Sequence, residues 1–76
     1  MIDQLIYYSL PAQSVFYGNR SACYFALEEY LSAIEDCTKA LEYNENYSKV
    51  LMRRCQSYER LSKFDEAIKG ITVMNY

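Results

Sequence analysis

The stretch Tyr17–Tyr43, YGNRSACYFALEEYLSAIEDCTKALEY, contains a segment, Arg20–Ile34, that is followed thirty-four positions later by a second version of itself. Arg20 pairs with Arg54, Tyr24 with Tyr58, Leu27 with Leu61, Tyr30 with Phe64, Ala33 with Ala67 and Ile34 with Ile68. Matches at one fixed offset are the mark of a stacked repeat, in which each unit buries its apolar face against its neighbour. The first unit reads as two helices, 14–27 and 30–43, and the second as 47–61 and 63–74. The breaks fall at ALEE (26–29), YNEN (43–46) and RLSK (60–63).

Local signals agree. Ser62 and Asp65 form an S-x-x-D capping box at the third break, and Glu35 with Lys39 and Asp65 with Lys69 are favourable i,i+4 pairs. Links this short force consecutive helices to lie antiparallel, so the small residues Ser21, Ala33, Cys55 and Ala67 are expected where helices cross closely. Tyr24, Leu27, Tyr30, Tyr58, Leu61 and Phe64 are expected to fill the layers between.

The chain has 76 residues and a net charge of −2. A domain of this length buries only about 60% of the surface its unfolded chain exposes, so its core is thin. The acidic balance, with a pI near 5.0, supplies no broad basic field for nucleic acid or an anionic membrane. No stretch approaches the roughly 20 apolar residues of a membrane span, and the first ten residues carry Asp3 with no basic flank, so neither a signal peptide nor a membrane helix is expected. Cys23, Cys37 and Cys55 are odd in number, lack C-x-x-C spacing and have no histidine beside them, which fits a reducing compartment.

The same inventory argues against an enzyme. There is no histidine, no Gly-rich loop and no metal-ligand spacing, so no cofactor or metal is implied. Glu28, Glu29, Glu35 and Asp36 read as the charged outer face of an amphipathic helix rather than an acid/base pair. The three cysteines read as small hydrophobes between helices, and Tyr24, Tyr30 and Tyr58 as core; Tyr7, Tyr8 and Tyr76 are ambiguous.

The recurring classes are Tyr17, Ser21, Tyr24, Ala33, Ala40 and then Leu51, Cys55, Tyr58, Ala67. This pattern resembles the tetratricopeptide repeat, whose unit is a 34-residue helix-turn-helix. The fold implied is all-α, antiparallel helix-turn-helix repeats of an α-solenoid fragment, two repeats plus an N-terminal helix stub. Residues 1–13 look like the second helix of a preceding repeat, QLIYYSL stopped by Pro11; residues 14–47 form one repeat, and 48–76 a second, truncated at its end. Such arrays generally need about three units, which leaves Ile2, Leu5, Ile6, Ile71, Val73 and Met74 without cover.

Half of the eight basic residues, Lys49, Arg53, Arg54 and Arg60, sit on one expected helix. Lys49 and Arg53 share a face, and a like-charge pair at that spacing costs an isolated helix about 0.2 to 0.5 kcal/mol, so folding gains nothing from it. In this repeat the first helix of each unit lines a concave groove, and Asn19, thirty-four before Arg53, is expected beside it. Three donors then converge without an acceptor.

Asn19 in YGNRSACY, with Lys49 and Arg53 in KVLMR thirty residues later, resembles the carboxylate-clamp subclass of tetratricopeptide domains. The resemblance implies a protein-interaction module that grips the acidic C-terminal tail of Hsp70 and Hsp90 chaperones through Asn19, Lys49 and Arg53, with Val15, Gly18, Ala22, Met52 and Gln56 flooring the groove. The subclass takes a further Lys and Asn from a helix this chain does not contain, so the clamp is partial. Losing two charge-assisted bonds of about 1.5 to 3 kcal/mol each weakens binding a hundredfold or more. NYSKVLMRR and FDEAIKGITVMNY look most like the chaperone-docking part of mitochondrial outer-membrane preprotein import receptors, which implies a cytoplasmic location or one at that membrane facing the cytosol.

Arg20 and Arg54 hold one motif position and are expected half-buried against the acidic second helices. Arg60 is expected as a solvated cation at a helix end. The competing reading is a structural module without a peptide ligand, whose uncovered end helices pair in a homodimer.

Overall fold

The computed structural model describes residues 12–74, with side chains described as far as Asp65. The chain is all-α, in three helices: α1 (Ala12–Ala26), α2 (Tyr30–Tyr43) and α3 (Ser48–Met74). The first two breaks fall where the sequence places them. At the first, Glu28 takes a left-handed conformation with φ 61°. Its N–H donates to the Phe25 carbonyl (3.0 Å), and the Glu29 N–H reaches back to the Tyr24 carbonyl (2.9 Å). These two bonds make a Schellman motif that satisfies the last carbonyls of α1. At the second, the Asn44 N–H caps α2 on the Ala40 carbonyl (3.0 Å), and the Tyr47 carbonyl accepts from Val50 and Leu51 to open α3.

The helices meet through small residues. Ser14, Gly18 and Ser21 are the buried face of α1, and Ala33, Cys37 and Ala40 recur at the same i, i+4, i+7 spacing on α2. Val50 and Ser57 are their counterparts on α3. Tyr17, Leu41 and Tyr47 pack over Cys37, Ala40 and Val50. Gly18 permits the closest approach: a Cβ there would stand 2.8 Å from the Tyr47 ring.

Arg20 ties α1 to α2. Its Nε donates to Asp36 Oδ2 (2.6 Å) and its Nη2 to Oδ1 (2.9 Å). The guanidinium also lies over the rings of Phe16, Tyr17 and Tyr24. The hydrogen bond to Asp36 raises the affinity of Arg20 for its proton above an already high ordinary value, so the cation persists at every working pH. Arg20 therefore has the structural role expected of it, and so has Arg54, which donates to Thr38 Oγ1 (3.3 Å). Asp36 departs from the expectation of an outer-face charge: it is buried, because the Arg20 fork draws it between the helices. Glu35 and Lys39 do form the expected surface pair, at 3.7 Å.

The third break does not occur. α3 runs through Arg60–Lys63 as one helix, and Ser62 caps nothing. No Gly or Pro stands between Tyr47 and Lys69, and no described residue except Glu28 takes a positive φ, so nothing at Leu61–Lys63 forces a turn. A Lys63–Glu59 i,i+4 pair at 3.4 Å instead bridges the expected break.

Several core assignments change as a consequence, since among the described residues no returning helix covers the far side of α3. Tyr58 is 56% and Phe64 67% exposed; Leu27 is exposed too, while Tyr24, Tyr30 and Leu61 are half-buried. Ser21 and Ala33 are at close crossings as expected, but Cys55 is exposed. Of the cysteines only Cys37 is buried, because Cys23 and Cys55 face away from the three-helix contact. The N-terminal stub with Pro11, the uncovered Ile2, Leu5 and Ile6, and the ambiguous Tyr7, Tyr8 and Tyr76 lie outside the described residues, and the uncovered Ile71, Val73 and Met74, the Lys69 partner of Asp65 and the Ala67 contact concern side chains beyond those described.

Candidate peptide-binding face

Residues 15, 19 and 22 follow one another on one face of α1, and 49, 52 and 56 do so on α3. Val15, Asn19, Lys49, Met52 and Gln56 are all exposed, and Ala22 is half-buried at their edge. Neither Asn19 nor Lys49 has a hydrogen bond or ion pair among the described residues, so both present unengaged donors.

Arg53 and Gly18 differ from expectation. Arg53 is half-buried, and its Nη1 donates both to the Gly18 carbonyl and to Ser21 Oγ, each at 3.1 Å. It stands on the inner stripe of α3 with Val50 and Ser57, and this stripe faces α1, so its guanidinium meets the acceptors that the sequence reading left out. Gly18 is buried beneath Tyr47 and contributes a carbonyl rather than an open floor. Ser21 Oγ also donates to that carbonyl, at 2.7 Å. The hydroxyl of Ser57 in turn donates to the Arg53 carbonyl at 2.8 Å.

The outcome is a rim of donors across the α1–α3 junction. Arg53 reaches from α3 to the carbonyl of Gly18, which precedes Asn19 in sequence, and Lys49 precedes Arg53 by one helical turn. Nη1 is engaged, whereas Nε and Nη2 have no partner among the described residues. Such an edge is shaped to take a carboxylate through two parallel bonds.

Arg60 also departs from the sequence reading. Because α3 continues, Arg60 is an interior residue of it; Nη1 donates to Tyr30 Oη at 3.1 Å, and the guanidinium lies 5.6 Å from the Phe25 ring centroid. Beside it is a cleft of about 440 Å³ lined by Glu28, Tyr30, Arg60, Leu61, Lys63 and Phe64. Four of its lining residues, Arg60, Leu61, Lys63 and Phe64, fall where the sequence places a break and the structure has continuous helix. Among the described residues, no group of acidic, Cys or His side chains could hold a metal, and no helix is long and apolar enough to cross a membrane.

Protein unc-45 homolog B of Xenopus tropicalis is 44% identical to this chain over 59 residues, which are 78% of the chain and 6% of that protein. The mitochondrial import receptor subunit TOM70 of Saccharomyces cerevisiae is 40% identical over 77 residues, 96% of the chain and 12% of the receptor. Human TOM70 is 38% identical over 61 residues, 80% of the chain and 10% of the receptor. The chain thus spans a small part of the relatives it matches. No protein-family model and no solved structure matches it.

Proposed function

The chain is a tetratricopeptide-type helical repeat segment related to TOM70 and unc-45 proteins, and on that footing we propose that it is a protein-interaction module for acidic C-terminal peptides. The observation that carries this reading is the donor rim at the α1–α3 junction. Arg53 is held on α1 at Gly18 and Ser21, which flank Asn19 in sequence, with its Nε–Nη2 edge unengaged, and Lys49 lies one turn away. An amide, an ammonium and a guanidinium are the donor types that a C-terminal Asp, with two carboxylates, would need. The exposed Val15 and Met52 lie alongside for apolar peptide side chains.

Acidic tails of Hsp70 and Hsp90 chaperones are the ligands of this chemistry that the clamp resemblance favours, and the kinship to an import receptor subunit favours a site at the mitochondrial outer membrane facing the cytosol. The decisive experiment is titration with an acidic peptide ending in Asp, beside its C-terminally amidated form. Tighter, salt-sensitive binding of the free acid is expected; equal binding of the two would remove the clamp. Lys49→Glu is the charge reversal of choice. The half-buried Arg53 donates to a backbone carbonyl, so a carboxylate in its place would disturb folding as well as binding.

A second reading, self-association, has its own support. Leu51 and Tyr58, seven residues apart and so on one face of α3, are both exposed, and neighbouring exposed apolar side chains of this kind mark a partner surface. A homodimer pairing through these helices would show concentration-dependent sedimentation and no response to the peptide.

A further inference from the structure

We infer that Ser21, together with the Gly18 carbonyl, positions Arg53 for its ligand, so that a pre-oriented guanidinium fork rather than a mobile cation meets the peptide carboxylate. The inference rests on the peptide-binding reading and goes beyond it by adding a positioning residue.

The chain of causes begins at Gly18. Without a Cβ there, Tyr47 lies flush on α1, which draws the start of α3 close. Arg53, at the second turn of α3, then reaches across to α1. Nη1 donates to two neighbouring acceptors, the Gly18 carbonyl and Ser21 Oγ. Ser21 Oγ can accept from Arg53 because its own proton is committed to the Gly18 carbonyl at 2.7 Å, which fixes the rotor of the hydroxyl. Ser21 is fully buried, so this arrangement has no competition from water. A planar guanidinium anchored through one terminal nitrogen has a fixed plane, and its Nε–Nη2 edge has a fixed direction. An arginine free in solution loses several rotors on binding, and one already held does not, which favours affinity by about threefold to tenfold.

The test is a double-mutant cycle on the full chain with the free-acid and amidated acidic peptides as probes. Ser21→Ala retains a small residue at the crossing and removes only the hydroxyl. It is expected to weaken free-acid binding about threefold to tenfold and to narrow the preference over the amide. Arg53→Lys removes the fork, and Ser21→Ala added to Arg53→Lys should cause no further loss, because an ammonium has no edge to orient. Losses that add across the cycle, or a Ser21→Ala chain that binds like the parent, would overturn the positioning role. Lys49→Ala separates the two levels: if it weakens binding while Ser21→Ala does not, the clamp stands and the positioning role falls, and if neither matters and the amide binds equally, the clamp itself has failed. Should Ser21→Ala melt below the assay temperature, the NMR signals of the Arg53 side chain in the parent decide. Slow rotation about its guanidinium bonds without peptide is expected, and free rotation would refute the anchor.

Discussion

Arg20 and Asp36 form a two-bond fork between α1 and α2, and the two ends of that fork are in unlike surroundings. The Asp36 side chain is 3% exposed, whereas the Arg20 side chain is 42% exposed. Removing the arginine strands a carboxylate among packed helices, whereas neutralising the carboxylate leaves a cation that water still reaches. Arg20→Met is therefore expected to lower the melting temperature more than Asp36→Asn, although Met retains much of the aliphatic stem. Equal losses would mean that Asp36 is better hydrated than its burial indicates.

Glu28 closes α1 at φ 61°, where a side chain costs an L-residue about 1 to 2 kcal/mol that glycine does not incur. Glycine gives back part of this through its freer unfolded chain. Glu28→Gly should raise stability by about 0.5 to 1 kcal/mol, seen as a higher denaturant midpoint at unchanged slope. A fall in the midpoint would show that the exposed Glu28 carboxylate does something in the folded state that its geometry does not reveal.

Gly18 and Tyr47 give a prediction of opposite signs. Alanine in a helix interior is favoured over glycine by roughly 0.5 to 1 kcal/mol. At Gly18 its methyl would stand 2.8 Å from the Tyr47 ring, which is itself packed on the core, and overpacking costs about 1 to 3 kcal/mol. Gly18→Ala is expected to destabilise the parent chain and to stabilise a Tyr47→Ala chain. Chemical denaturation of the four proteins reads both signs, and the same sign in both backgrounds would mean that the ring yields freely.

The repeat was legible in the sequence because its signals are local. Ser21 and Ala33 are small where helices must touch, and the breaks at Glu28 and Asn44 follow from polar runs between apolar stretches. The donors Asn19 and Lys49 were legible as exposed residues for the same reason, being set by helical spacing alone. What Arg53 touches was not, since whether its guanidinium faces solvent or the Gly18 carbonyl depends on how close α3 comes, which Tyr47 sets from another position. The burial of Asp36 was hidden likewise: period alone places a carboxylate on the outside, and only the Arg20 fork draws it in. At Ser62 the capping box competed with continuous helix formers on both sides, and S-x-x-D marks where a helix can start without forcing the preceding one to stop.

That competition at Ser62 can be decided by proline. In the unbroken α3, Lys63 is an interior residue, where proline removes a backbone hydrogen bond and clashes with the preceding turn, at a cost of about 3 kcal/mol. In a hairpin with Ser62 as cap, Lys63 would be the first helical residue, the position at which proline is best tolerated. Lys63→Pro is therefore expected to lose helical ellipticity and stability relative to Lys63→Ala, a control that removes the 3.4 Å contact with Glu59 without touching the backbone. The side chains give an independent reading of the same question. Tyr58 and Tyr24 are equivalent by the thirty-four-residue period, yet Tyr58 is exposed and Tyr24 is half-buried with the Arg20 guanidinium over its ring. Tyr58→Ala should then cost less than about 1 kcal/mol, clearly less than Tyr24→Ala. Proline accepted at Lys63, with Tyr58→Ala as damaging as Tyr24→Ala, would mean that α3 folds back at Ser62 and covers Tyr58 after all.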